Sequence, residues 1–272
     1  MTDSPTAGPD PEQLTTRTGR AIILRSCQGF DELGACVQLQ KEIWGLAEED
    51  VVPRREFVVA QRVGGQVMGA FEGEELVGFA LALPGVKQGG AGQPTAYLHS
   101  HMLAVKTPYR NEGIGRALKL YQRREALGRG IALMEWTFDP LEIKNSFLNI
   151  HRLGVIVRSY SPDFYGVSSS RLQGGLPTDR LHAEWWMESE RVKAILQGLP
   201  SKSPAIQETI MVPKAVSDWK ATRVSSALEV QAENRRRFLD AFGRGLAVTG
   251  FRMDVEGNGI FELARLQETG GL

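Results

Sequence analysis

Apolar and polar positions alternate along the chain in two periods. Residues 21–24 are a short apolar run that predicts a buried strand, and residues 30–44 carry apolar side chains near helical spacing. A second helix is predicted over 54–63, stopped by Gly64 and Gly65, since glycine readily closes a helix in the left-handed conformation. Strands at 66–71 and 76–83 flank Glu72-Gly73-Glu74-Glu75, a hairpin turn signal, and 85–94 reads as a flexible loop. The centre alternates strand and helix: 96–105, 115–127, 131–138, 140–153 and 155–160, a pattern that predicts a parallel βαβ core.

In the helix at 115–127, Ile114, Ala117, Leu118 and Tyr121 form the apolar face, which leaves Lys119, Gln122 and Arg123 facing outward. The helix at 140–153 is punctuated by Asp139 as its cap, Pro140 in its first turn, Glu142 three residues after the cap and Gly154 past its end. A Ser/Gly/Pro-rich loop at 167–179 leads to a strand at 181–187. Beyond a linker at 197–204, the pattern predicts a strand at 206–212, a helix at 225–242 and a hairpin over 246–263 turning at Gly257-Asn258-Gly259. The resulting organisation is a disordered leader (1–20), a main domain (21–190) and a carboxy-terminal β-α-β-β extension (205–272). The pattern leaves open whether that extension widens the sheet, walls a site or forms a homodimer contact.

Charge narrows the function. Lys+Arg and Asp+Glu both total 32, so no overall charge draws the chain onto a polyanion or an anionic membrane, and nucleic-acid binding is disfavoured. The charge is uneven locally. From Lys106 to Arg129 lie seven basic residues against Glu112 and Glu125. No run of 18 apolar residues occurs. Cys27 and Cys36 lack metal-ligand spacing and read as free thiols, so no metal and a cytoplasmic location are expected.

The basic stretch contains Arg110-Asn111-Glu112-Gly113-Ile114-Gly115 between a strand and a helix. Helix-start N–H groups lack intrahelical partners and sit at the positive end of the dipole, so this turn is an anion cradle that glycines let a pyrophosphate approach, with Arg110 and Arg116 adding charge. A Walker loop needs Gly-Lys-Ser/Thr, which is absent. A Rossmann fingerprint needs a third glycine where Leu118 stands.

Together with the preceding His99-Ser-His-Met-Leu-Ala-Val105, this turn resembles the fourth strand and pyrophosphate loop of the GCN5-related N-acetyltransferase (GNAT) superfamily. The resemblance spans about residues 21–187 and is sharpest over 103–118. It implies an α/β fold with a mixed, centrally splayed sheet flanked by helices, and acetyl-CoA or another acyl-CoA as co-substrate. It also implies that the backbone of Leu103, Ala104 and Val105 holds the thioester and pantetheine, and that the N–H groups from Arg110 through Asn111, Glu112, Gly113, Ile114 and Gly115 to Arg116 hold the pyrophosphate. Asn145 resembles a polar residue that reaches the pantetheine.

Transfer to an amine needs a base, and His99 and His101, at i and i+2, share one face of a strand. The pair is similar to that of serotonin N-acetyltransferase, which implies a proton relay. Glu135 is the reserve. The tyrosine that many family members carry late in the following helix is replaced by Ile150, so the acid role is unfilled, taken by water, or moved to Tyr160 or, by choice, Tyr165. The acceptor expected is a small-molecule or peptide amine. A longer acyl donor, a non-amine acceptor and a non-catalytic CoA-binding protein stay open as alternatives.

Overall fold

The computed structural model describes residues 9–88, 93–200 and 204–266. The chain divides into two compact units, Met1–Met134 and Glu135–Leu272. The division differs from the expected boundary near 190–205, because the carboxy-terminal strands pair with strands that precede that linker.

In the first unit the strand order is β1 (Glu12–Thr15), β2 (Ala21–Ser26), β3 (Gln66–Glu72), β4 (Glu75–Gln88) and β5 (Pro94–Val105). All four neighbouring pairs are antiparallel. Helices α1 (Gly29–Trp44) and α2 (Arg54–Arg62) bury Leu33, Leu39 and Phe57 against Phe79 and Leu81. Helix α3 (Ile114–Gly128) buries Ile114, Leu118 and Tyr121 against Ile22, Met68 and Ala80. The sheet thus has an α1/α2 face and an α3 face, each apolar because strand side chains alternate.

Three expectations change here. Residues 1–8 of the expected leader lie outside the described residues, but Glu12–Thr15 form β1 and pair with β2 from Glu12↔Leu24 to Thr15↔Ala21. The expected flexible loop at 85–94 is largely strand: β4 runs to Gln88 and β5 starts at Pro94, with 89–92 outside the described residues. Lys119 and Gln122 do not face solvent. Both are buried, because α3 presses a wide face on β3, β4 and β5.

In the second unit the order is β6 (Leu133–Phe138, which spans the division), β8 (Arg180–Trp186), β7 (Ile156–Ser161), β10 (Ala247–Met253), β11 (Gly259–Ala264) and β9 (Glu208–Val212). The β7–β8, β7–β10, β10–β11 and β9–β11 pairs are antiparallel. The pairs of known register in both units are antiparallel, so the sheet is mostly antiparallel. The extension widens the second unit's sheet through Val248↔Val157 and contains one helix more than predicted: α6 (Val216–Thr222) precedes α7 (Val224–Gly243). A further short helix, α5 (Glu190–Leu196), was also not predicted.

The helix expected at 140–153 begins later. Asp139 accepts the Leu141 amide at 2.8 Å, and α4 (Ile143–Ser146) then widens into a π-helical segment, Phe147–Arg152. Gly154 ends it at φ +80°. Among the described residues no helix is long and apolar enough to cross a membrane.

Gly78 of β4 lies opposite Val105, the last residue of β5. A Cβ there would stand 2.9 Å from the Ala104 carbonyl oxygen and 3.3 Å from Val105 Cγ2. Backbone cannot yield as a side-chain end does. Gly78→Ala is expected to lower the unfolding free energy by about 1–3 kcal/mol, read from urea denaturation; an unchanged midpoint would contradict this packing.

Candidate active site

The first unit builds one continuous feature from β5, the turn after it and α3. Val105 ends β5, a single 3₁₀ turn covers Thr107–Tyr109, and Gly113 caps α3 at φ +89°. Asn111 also takes a left-handed conformation, φ +63°. Alternation of left-handed and right-handed residues turns successive N–H groups to one side. No side chain caps α3. The amides of its first turn therefore present the helix dipole to whatever anion lies there. Gly113, Ile114, Gly115 and Arg116 come together at this turn as the sequence predicts. Arg110 is exposed, and its Nε donates to the Val105 carbonyl at 3.3 Å. Uncapped amides, two left-handed residues and two flanking arginines fit a pyrophosphate.

The Glu112 carboxylate is turned toward the amino-terminal segment. Oε2 accepts the Thr18 amide at 3.1 Å and the Thr18 hydroxyl at 3.2 Å. Partial loss of hydration opposes its charge, but these bonds and Arg17 hold the carboxyl below its usual range. At the other end of the loop, Tyr109 donates its hydroxyl to Glu72 at 2.6 Å, and Arg20 bonds the same carboxylate at 2.9 Å. These contacts were invisible in the sequence, where the polar residues 9–20 resemble a leader; the only hint was Gly19 after a Thr-rich run.

His99 and His101 flank Ser100 on β5, where the strand is irregular. Leu81 pairs with Met102 while Ala82 pairs with Ser100, so His101 is the extra residue of a β-bulge. Ser100 points to α3, where its hydroxyl accepts from Lys119 Nζ at 2.7 Å and lies 3.1 Å from Gln122 Oε1. Leu103 and Val105 join the α3 face, and Met102 and Ala104 the α1/α2 face. The histidines flanking Ser100 thus point away from α3, with ring centroids 6.2 Å apart. His101 keeps solvent access, yet the surrounding protein strips enough hydration to lower its pKa below the usual imidazole value.

The remaining predicted residues belong to the second unit. Asn145 is exposed on α4 and accepts from Asn149 Nδ2 at 3.3 Å. Ile150 is fully buried. Tyr165 is exposed, with Oη 2.9 Å from Thr137 Oγ1 and the ring beneath Arg180. Tyr160 is buried: burial and a hydrogen bond to Asp179 both push its pKa up, and Arg235 clamps the same Asp179. That hydroxyl is committed to a core network. His182 Nε2 lies 2.8 Å from Ser161 Oγ, and burial lowers its pKa while Glu135 and Glu184 partly oppose the shift. His151 stacks on Phe147. Cys27 and Cys36 are free and buried, with sulfurs 3.9 Å apart. Among the described residues no cluster of three or more His, Cys, Asp or Glu could hold a metal ion.

Residues 34–144, which contain both histidines and the loop, match the model of the Acetyltransferase (GNAT) family. These residues are a GNAT acetyltransferase domain. Solved structures similar to it include ribosomal-protein-S18-alanine N-acetyltransferase from Escherichia coli, at 16% identity and a TM-score of 0.46, covering 62% of this chain and 97% of that one. NAA60 of Arabidopsis thaliana in complex with acetyl-CoA has 16% identity and a TM-score of 0.48, covering 61% and 99%. Naa50 of Arabidopsis thaliana, in complex with the bisubstrate analogue CoA-Ac-MVNAL, has 13% identity and a TM-score of 0.45, covering 60% and 97%. No curated protein sequence matches the chain.

Beside Ser100, Lys119 is only 4% exposed, and burial lowers its pKa well below the ordinary lysine value. The unfolded chain therefore binds more protons than the folded one between that depressed pKa and the ordinary value near 10.4. Stability is expected to rise with pH across that interval. Lys119→Met should reduce this component of the rise, measured as urea midpoints at pH 7 and pH 9; an unaltered slope would contradict the lowered pKa of the buried amine.

Proposed function

We propose that the protein moves the acetyl group of acetyl-CoA to a small-molecule or peptide amine by direct attack, with His99 and His101 removing the amine proton. The observation that carries the reading is the joining, on one strand and the turn after it, of an uncapped pyrophosphate cradle and a close histidine pair. When bound, the co-substrate supplies a thioester whose carbonyl carbon accepts the amine nitrogen and whose C–S bond breaks.

The chain's residues do the rest. The N–H groups from Arg110 to Arg116 hold the pyrophosphate, with Arg110 and Arg116 adding positive charge. Backbone groups of Leu103, Ala104 and Val105 not engaged by β4 hold the pantetheine amides, and Asn145 offers a further amide to that arm. An ammonium has no lone pair for attack, so its proton must leave first. His101, with its pKa lowered by lost hydration, is neutral at pH 7 and accepts that proton; His99, one ring away, passes it on. Tyr165 is proposed to return a proton to the leaving sulfur. Tyr165 is exposed, whereas the hydroxyl of Tyr160 is buried and donates to Asp179.

Initial rates of CoA release over a panel of primary amines test this directly. His101→Ala and the double His99→Ala, His101→Ala variants are expected to lose about 10²- to 10⁴-fold in kcat while binding acetyl-CoA like the parent. The parent's rate should rise with pH through a midpoint below the ordinary imidazole value near 6.5, because the base works when neutral. Full activity in the double variant, or a profile flat from pH 5 to 8, would remove the histidines from the mechanism.

A further inference from the structure

Glu112 is the only acid from Lys106 through Arg124 and lies in the middle of the loop read above as the pyrophosphate cradle. A carboxylate beside a pyrophosphate is an unfavourable charge, and the chain contains a device that meets it. Its side chain is 9% exposed and is gripped by the Thr18 amide at 3.1 Å, the Thr18 hydroxyl at 3.2 Å and the Arg17 guanidinium at 3.7 Å.

The gripping residues are themselves fixed. They lie in the turn joining β1 to β2, closed by Thr16 N–H to the Arg20 carbonyl at 2.9 Å, Gly19 N–H to the Thr16 carbonyl at 3.0 Å and Arg20 N–H to Thr16 Oγ1 at 3.1 Å. From the same turn Arg20 reaches Glu72, which holds Tyr109, and its guanidinium lies 4.6 Å over the Tyr109 ring. One turn therefore braces both ends of the loop. The strand leading into it is tied to α3 by Arg124 with Glu12 at 2.7 Å and by the Tyr121 hydroxyl donating to the Pro9 carbonyl at 2.8 Å.

We propose that Thr18 and Arg17 are positioning residues for the acyl-CoA co-substrate: by engaging the Glu112 carboxylate they let the loop receive the pyrophosphate without an opposing charge. The inference rests on the reading that this loop binds the pyrophosphate of CoA. In this proposal Thr18 and Arg17 act through Glu112. Their effect belongs to affinity for the phosphate-bearing part of the molecule, so it appears in KM for acetyl-CoA and leaves kcat unchanged.

The test uses the full chain carrying Arg17→Ala with Thr18→Val, titrated with acetyl-CoA and, separately, with S-acetylpantetheine, which lacks the pyrophosphate. The acetyl-CoA Kd is expected to rise roughly tenfold at low salt, with the increase shrinking in 1 M salt as screening removes the repulsion; S-acetylpantetheine should bind as it does to the parent. Adding Glu112→Gln to the double variant should recover most of the lost affinity, and Thr18→Ser alone should keep the parent's. Parent-like acetyl-CoA binding by the double variant, equal losses for both ligands, or no recovery with Glu112→Gln would each overturn the proposal. A parent that binds no acetyl-CoA would instead overturn the reading of the loop, and this inference with it.

Discussion

A helix leaves the amides of its first turn without intrahelical partners, and in α3 no side chain takes their place. Those N–H groups face outward at the end of a strand, backed by a dipole and by local basic charge in a chain whose overall charge is zero. Much of the first unit serves to hold that exposed turn in place. Gly78 lets β4 approach Ala104 and Val105, Ile114 and Leu118 anchor α3 on the sheet, and the turn at Thr16–Arg20 braces Tyr109 and Glu112. The left-handed conformations at Asn111 and Gly113 are the local cost of aiming the amides together.

The bulge at His101 plays the corresponding part for the other half of the site. Without an extra residue, Ser100 and Leu103 would fall on opposite faces of β5. With it, Ser100 meets Lys119 and Gln122 on the α3 face, Leu103 packs on the same side, and both histidines turn the other way. Sheet pairing on one side and a buried polar contact on the other thus determine where the imidazoles point. A partly desolvated imidazole and an exposed anion cradle then lie along a single run of chain, His99 to Arg116.

The loop was legible in the sequence because its chemistry demands particular residues: Gly113 takes a positive φ, and the helix after it begins where the apolar face begins. The strands and long helices were legible from periodicity, as α7 and the β10–β11 hairpin illustrate. Other features carried no such signal. Lys119 and Gln122 read as a solvated face because their side chains are polar, and only the tertiary contact with Ser100 shows otherwise. Residues 9–20 read as a leader because pairing of β1 with β2 is a long-range choice that short polar segments do not announce. The bulge at His101 is a difference of register between two strands, so no single strand's sequence contains it. The later helix start at Ile143, past the signals at Asp139 and Pro140, and the π-helical widening at Phe147–Arg152 were likewise not legible.

The central claim is that the turn from Arg110 to Arg116 binds the pyrophosphate of an acyl-CoA through its backbone. Calorimetric titration of acetyl-CoA into the parent and into Gly113→Val tests it most directly, since a β-branched residue is strained at φ +89° while a Cβ there would meet no atom within 4 Å. The account predicts saturable one-to-one binding by the parent and a loss of at least tenfold in the variant, with the fold retained by circular dichroism. Equal affinities in the two proteins would contradict it.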